Sequence, residues 1–101
     1  MAEMIRSPLA EADLDAILDD LNRRDPAAAE RYGLKFAEKA ESLMRFPESG
    51  RPRPEIAPNV RSTLVKPYVI FYRYEADTVQ VLRIVHGRRD LRNILDSDSS
   101  E

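Results

Sequence analysis

A run of cationic side chains near the end of the chain is the segment best suited to chemistry. Residues 86–90 read HGRRD, which places two adjacent arginines after a glycine. Glycine lets a chain turn sharply, and guanidinium groups make bidentate contacts to phosphates or carboxylates. One interpretation is a contact site for RNA, for DNA held by a protein, or for an acidic partner segment. The other is a solvated sheet edge, where Arg88 or Arg89 pairs with Asp90 or Asp77.

His86 is the one histidine of the chain. Histidine titrates near neutrality and can act as a general acid or base. No carboxylate or nucleophile stands at a meaningful spacing from it, so a packed histidine at the end of a strand is the favoured interpretation. Arg61 and Lys66 add positive charge on or beside a neighbouring strand, where alternating exposed side chains are the favoured interpretation.

Three tyrosines, Tyr68, Tyr72 and Tyr74, follow at a spacing of two and share one strand face with Ile70. An aromatic face can stack nucleic-acid bases. Aromatic rings serve mainly in packing, so a core or groove against neighbouring helices is the favoured interpretation. The sequence has no glycine-rich phosphate loop, serine elbow or nucleotide fingerprint.

Composition excludes several classes of protein. The chain has 101 residues, 43% apolar and 34% charged, with no cysteine and a net charge of −2. That length predicts one folded domain, and the lack of cysteine excludes disulfides and thiolate metal sites. One histidine makes a zinc site improbable, and we expect neither metal nor cofactor. No apolar run or signal peptide is present, so we expect a cytoplasmic protein without membrane contact.

Charge is divided unevenly along the chain. Residues 1–50 carry 7 Lys and Arg against 11 Asp and Glu, whereas residues 51–92 carry 9 against 4. An acidic front half and a basic back half suggest that the two halves meet different surfaces.

Two helices must position these side chains. A short strand over 3–6 precedes Ser7-Pro8, which is a helix start with a serine cap. Asp25-Pro26 repeats the signal, so an antiparallel helical hairpin follows, with its second helix ending near Phe46. Gly33 inside that helix predicts close helix–helix approach. The first helix has an apolar stripe and early acidic residues that suit its dipole: Leu14, Ile17, Leu18 and Leu21, with Glu11, Asp13 and Asp15.

The second half of the chain predicts strands. Four prolines and one glycine exclude regular structure over 47–59. Strands are expected over 60–66, 68–75 and 78–86, joined by short reversals that favour an antiparallel sheet. A last helical turn is expected over 90–95. The predicted fold is α+β, in the order β-α-α-β-β-β, with a helical hairpin packed on a small antiparallel sheet; one domain spans 1–96 and a polar tail spans 97–101.

Four segments in this order carry a family resemblance: SPLAEADLDAI, FPESGRPRPE, VRSTLVKPYVIFYRYE and VQVLRIVHGRRDL. Together they cover roughly residues 4–92. The chain resembles the ParE branch of the RelE/ParE superfamily of bacterial type II toxins. The resemblance implies a growth-inhibiting toxin that acts in plasmid stabilization, blocks DNA gyrase by binding, and forms a hetero-oligomer with a ParD-like antitoxin.

The resemblance also directs attention to two surfaces. By itself the toxin is not expected to bind nucleic acid in a sequence-specific way. The candidate antitoxin groove comprises Leu14, Ile17, Phe36, Tyr68 and Tyr72. The candidate target-binding surface comprises Arg61, Arg83, His86, Arg88 and Arg89.

Two alternatives remain within the same resemblance. RelE-type relatives are ribosome-dependent endoribonucleases, and Arg89 and Arg61 fall near basic positions of that branch. Val69 is apolar where those enzymes tend to have arginine, and the chain after Asp90 has no tyrosine, histidine or lysine. The loss of a poised acid–base group costs about 10²–10⁴ in rate, so we predict no catalytic residues and no enzyme activity. The second alternative is a degenerate toxin that serves as a binding partner.

Overall fold

The computed structural model describes residues 1–87, which form two helices and one five-stranded sheet. Helices α1 (Pro8–Arg24) and α2 (Pro26–Arg45) follow strand β1 (Glu3–Arg6), and strands β2 (Arg51–Pro52), β3 (Val60–Val65), β4 (Tyr68–Glu75) and β5 (Thr78–His86) come after them. The strand order is β1-β5-β4-β3-β2. The α+β fold is as predicted. The helical turn expected over 90–95 and the boundary at residue 96 lie outside the described residues.

Helix α1 begins as its sequence predicts. The Ser7 hydroxyl accepts a hydrogen bond from the Ala10 amide at 3.0 Å, and Pro8 occupies the first helical position. The same hydroxyl donates to the Leu82 carbonyl at 2.9 Å. The cap therefore also joins the start of α1 to strand β5.

Helix α2 starts without the side-chain cap that Asp25-Pro26 predicts. The Asp25 side chain makes no capping hydrogen bond. Its backbone carbonyl accepts from the Ala28 and Ala29 amides instead, while its own amide donates to the Leu21 carbonyl of α1. A single extended residue thus ends one helix and starts the next.

The sheet is mixed, so the prediction of a wholly antiparallel sheet is wrong for one pair of strands. Strand β1 lies parallel to β5, with Met4 opposite Val79 and Arg6 opposite Val81. The chain between these two strands runs through both helices and through β2, β3 and β4, and a parallel pair requires a long connection of this kind. The short reversals between β3, β4 and β5 give the antiparallel pairs that they predict.

The proline-rich stretch 47–59 holds a two-residue strand where no regular structure was expected. Arg51 pairs with Ser62, and Pro52 pairs with Arg61. Proline is tolerated there because β2 is the edge of the sheet. Strand β3 ends at Val65 instead of Lys66, since the Lys66-Pro67 peptide, which is cis, forms the turn into β4.

The core occupies both faces of the sheet. On the helical side, Phe36 and Ala10 pack on Ile70 and Ile84, and Leu43 packs on Tyr72. On the opposite side, Ile56 and Ala57 of the loop cover a second cluster that comprises Val60, Val69, Phe71 and Val85. No helix among residues 1–87 is long and apolar enough to cross a membrane.

Gly33 does not mark close approach of the two helices. A Cβ atom built at this position meets no atom of the described residues within 4 Å outside its own helix. The expectation drawn from this glycine is therefore wrong, and the space beside it belongs to the groove described next.

Candidate functional site

An apolar groove of about 160 Å³ lies between the two helices and the sheet. Two residues of the candidate antitoxin groove, Leu14 and Phe36, line it, whereas Ile17 is half-buried and packs against the neighbouring core. Small side chains on α2 leave the groove open, since alanine and glycine do not fill the space between helix and strand. Its walls come from α1 and α2 and its floor from the sheet, and Arg6 is its one charged lining residue among residues 1–87. The remaining lining residues are Met4, Leu14, Leu18, Gly33, Phe36, Ala37, Ala40, Leu43, Ile70, Val81 and Ile84.

Tyr68 lies beside Phe36, at the start of β4. Its ring centroid is 5.7 Å from those of Tyr32 and Phe36, and 6.0 Å from that of His86. Burial raises the pKa of the Tyr68 hydroxyl above its usual value. This aromatic cluster brings one predicted groove residue, Tyr68, into contact with one predicted target-binding residue, His86.

Tyr72 is fully buried and does not line the groove, in contrast to the prediction. Its hydroxyl accepts a hydrogen bond from the Gly50 amide at 2.9 Å and donates to the Pro47 carbonyl at 2.8 Å. Burial raises the pKa of this hydroxyl. Tyr72 therefore anchors the 47–50 segment from below and is not accessible to a partner.

Arg83 is buried. The prediction that it forms part of an exposed target-binding surface is therefore wrong. Its guanidinium donates to the two Asp13 oxygens at 2.7 and 3.0 Å, and 7% of its side chain is exposed. Asp13 also accepts from the Ile84 amide at 2.9 Å. The hydrogen bond to Asp13 raises the pKa of Arg83. This pair ties α1 to β5 at the point where β1 has ended.

A β-bulge in β5 explains the position of Arg83. Phe71 pairs with Arg83 and Tyr72 pairs with Val81, so Leu82 is an extra residue on β5. A bulge redirects the side chains beside it, and the simple alternation of a strand does not reveal it. The sequence does hold a signal for Asp13, which lies three residues after Ala10 and four before Ile17. A carboxylate on that core-facing stripe requires a buried partner.

Arg61 is half-buried and bound to the protein's own backbone. One of its guanidinium nitrogens donates to the Glu48 carbonyl at 3.0 Å and to the Gly50 carbonyl at 2.8 Å. Arg61 and Tyr72, which are cross-strand partners in β3 and β4, therefore hold the same segment. Nothing in the sequence indicated a role for Gly50, yet an added Cβ there would clash with the Tyr72 hydroxyl oxygen.

The remaining predicted target-binding residues lie at the end of the described chain. His86 is the last residue of β5 and is exposed, and its ring contacts the Tyr68 ring edge-on. Arg88 and Arg89 lie outside the described residues. Within residues 1–87 no three His, Asp or Glu side chains converge as a metal site.

Comparison with known proteins fits this fold. Residues 4–91 match the family described as ParE toxin of type II toxin-antitoxin system, parDE. Toxin ParE3 of Caulobacter vibrioides is 32% identical over 92 residues, which are 90% of this chain and 92% of that protein. Toxin RelE2 of the same organism is 36% identical over 89 residues, 88% and 99% of the two chains.

A solved structure extends the match to three dimensions. A chain of the chromosomal ParDE TA system from P. aeruginosa superposes with a TM-score of 0.71 at 30% sequence identity, covering 85% of this chain and 96% of its own length. The fold and these matches define a small α+β toxin domain of the ParE/RelE type. More particularly, the chain belongs to the ParE toxin family of type II toxin–antitoxin systems.

Proposed function

We propose that this toxin inhibits DNA gyrase by binding to it and that it cleaves no bond. The observation that carries the proposal is that two arginines of the predicted target-binding surface, Arg61 and Arg83, are already bound within the protein. Arg61 is bound to two backbone carbonyls, and Arg83 is bound to Asp13. A ribonuclease would need free guanidinium groups near its acid–base pair to hold the scissile phosphate. In the described part of the chain, both of these arginines already bind the protein's own oxygens.

We propose further that a ParD-like antitoxin neutralises the toxin by covering the groove between α1 and α2. The groove is apolar along both helices, with Leu14 and Phe36 in its walls. Burying such a surface is the main favourable term in stable association. The antitoxin would also cover Ile17 and Tyr68 at the margins of the groove. The structural neighbour, described as a ParDE system, supports this partner class.

The relatives named RelE favour a second candidate, a ribosome-dependent endoribonuclease. His86 is exposed and is the group that such an activity would use as acid or base. This function predicts that messages are cut within minutes of toxin induction, before replication is affected.

Induction of the toxin in cells without antitoxin separates the two functions. We expect DNA breaks and arrested replication, with transcripts intact when their ends are mapped on ribosomes. The substitution His86→Gln provides a control, because removal of a general acid or base costs about 10²–10⁴ in rate. Cut transcripts that disappear in His86→Gln would contradict the proposal and establish the nuclease.

A further inference from the structure

Gly33 carries a cost in stability that nothing in residues 1–87 explains. It lies within α2, which spans Pro26–Arg45. Glycine inside a helix lowers the equilibrium constant for folding roughly fivefold relative to alanine. Its backbone does not require glycine, because no glycine among residues 1–87 has a positive φ. Its surroundings in the described part of the chain do not require glycine either, since an added Cβ would meet nothing there within 4 Å.

The bare backbone at Gly33 faces the groove. Gly33 lines it together with Phe36 and Ala37, the residues three and four positions further along the same helix face. Across the groove stand Leu14 and Leu18 of α1. Any side chain at position 33 would therefore take space from whatever enters between the helices.

The dimensions of the groove suit one large apolar side chain. Its volume is about 160 Å³, and nearly all of its lining is aliphatic or aromatic. An apolar cavity of about 150 Å³ accommodates a benzene-sized group. A polar or charged group would find few partners there, and burying it would be unfavourable.

We infer that Gly33 is a specificity-determining residue of the toxin, which receives a large apolar anchor side chain of the antitoxin against the bare backbone of α2. The inference rests on the proposed antitoxin groove, and it adds that position 33 determines which antitoxin side chains fit into the groove. An extra methylene in an apolar pocket changes affinity by about 10–200-fold. A methyl group at position 33 should thus discriminate between antitoxins with larger and smaller anchors.

The test measures the affinity of the toxin for its cognate antitoxin and, separately, the denaturant unfolding of the free toxin. Gly33→Ala should weaken antitoxin binding at least tenfold while lowering the unfolded fraction of the free toxin roughly fivefold. Ser42→Ala is the matched control, because it also replaces a residue of α2 with the better helix former alanine. Ser42 lies on the side of α2 that faces away from the groove, so the affinity of this variant for the antitoxin should be unchanged. Ala37→Leu is the positive control, since it fills the groove itself.

Each outcome decides between separate claims. If Ala37→Leu weakens binding and Gly33→Ala does not, the groove holds the antitoxin and the inference about Gly33 is wrong. If neither variant changes the affinity, the antitoxin binds elsewhere, and the groove assignment fails first. If Gly33→Ala destabilises the free toxin, the glycine is structural and the inference is overturned.

Two further measurements identify the occupant. Alanine substitutions of the large apolar residues of the antitoxin should include one that binds Gly33→Ala better than it binds the wild-type toxin. If no alanine variant of the antitoxin restores binding to Gly33→Ala, the inference of a single anchor side chain is wrong. If the free toxin instead dimerises and Gly33→Ala abolishes the dimer, a second copy of this chain is the occupant, and the antitoxin assignment is wrong.

Discussion

Asp13 shows how strongly one residue's role depends on its place in the fold. By sequence it is one of several acidic residues in the early turns of α1. In the structure its carboxylate accepts two hydrogen bonds from Arg83 and one from the Ile84 amide. The Ile84 amide needs this acceptor because β1 pairs with β5 only as far as Val81. Asp13 therefore completes the edge of the sheet and neutralises a buried cation.

Removal of Asp13 should be among the most damaging single changes to stability. Asp13→Ala leaves the buried Arg83 guanidinium without its carboxylate, and breaking a buried ion pair in this way costs about 3–5 kcal/mol. Asp15→Ala, on the exposed face of the same helix, should change the free energy of unfolding by about 0.5 kcal/mol or less. Denaturant titration measures both values, and equal effects would show that the Arg83 pair contributes nothing special.

Tyr72 should make the stability of the toxin depend on pH in the alkaline range. Burial raises the pKa of its hydroxyl, so the folded state holds this proton more tightly than the unfolded state, whose tyrosines titrate near about 10. The stability that the protonated Tyr72 hydroxyl contributes to the folded state is therefore fully present below about pH 10, and it is lost as the pH rises towards the folded-state pKa.

Tyr72→Phe provides the test of that dependence. At neutral pH it should cost about 1–3 kcal/mol, because the buried Gly50 amide loses its acceptor. Above pH 10 its stability should fall less steeply than that of the wild type. Denaturation curves at neutral pH and in the range 9.5–11.5 measure both effects, and parallel alkaline losses in the two proteins would rule out Tyr72 as their source.

At the scale of elements, local signals predicted most of the fold and failed where distant parts of the chain meet. Ser7-Pro8 predicted the start of α1, and the β-branched and aromatic runs predicted β4 and β5 with their observed bounds. The parallel pairing of β1, the pairing of β2 and the bulge at Leu82 depend on contacts between distant segments. Those contacts leave no local pattern, and they are also what removes Arg83 and Tyr72 from the predicted surfaces.

The turn between β4 and β5 is a local element where one substitution should increase the stability of the protein. Ala76 and Asp77 have φ values of 50° and 59°, a conformation that costs an ordinary L residue about 1–2 kcal/mol. Ala76→Gly should therefore raise the free energy of unfolding by about 0.5–1 kcal/mol, since glycine's extra freedom in the unfolded chain offsets part of the gain.

A neighbouring substitution controls for the effect of glycine itself. Glu75→Gly, one residue earlier and within β4, should lower stability by about 0.5–1 kcal/mol because glycine weakens a strand. Thermal unfolding of both variants gives the comparison. A loss of stability in Ala76→Gly would mean that the left-handed backbone at this turn carries no penalty.

At the scale of the whole molecule, we propose that two different surfaces serve the two partners. Among residues 1–87, the groove between the helices is lined mostly by apolar side chains, and neither His86 nor Gly87 lines it. Arg88 and Arg89 follow Gly87 in the sequence. The division of charge between the two halves of the chain agrees with this separation of an antitoxin surface from a target surface.

Charge reversal should separate the two surfaces experimentally. Arg88→Glu combined with Arg89→Glu is expected to abolish toxicity and to leave antitoxin affinity within about threefold of the wild type, because the proposed antitoxin groove is mostly apolar and its affinity should come from buried apolar area rather than from these charges. Killing assays and a binding titration on the same protein measure the pair of effects. A double variant that still kills would exclude these arginines from the target surface.

Inhibition of purified gyrase is the most direct measure of whether this toxin acts by binding. Supercoiling of relaxed plasmid should fall in a dose-dependent way as purified toxin is added, and an equimolar amount of the cognate antitoxin should restore it. Messenger RNA on ribosomes treated with the same preparation should stay intact. Uninhibited supercoiling at every toxin-to-gyrase ratio, together with cut messenger RNA, would contradict the account.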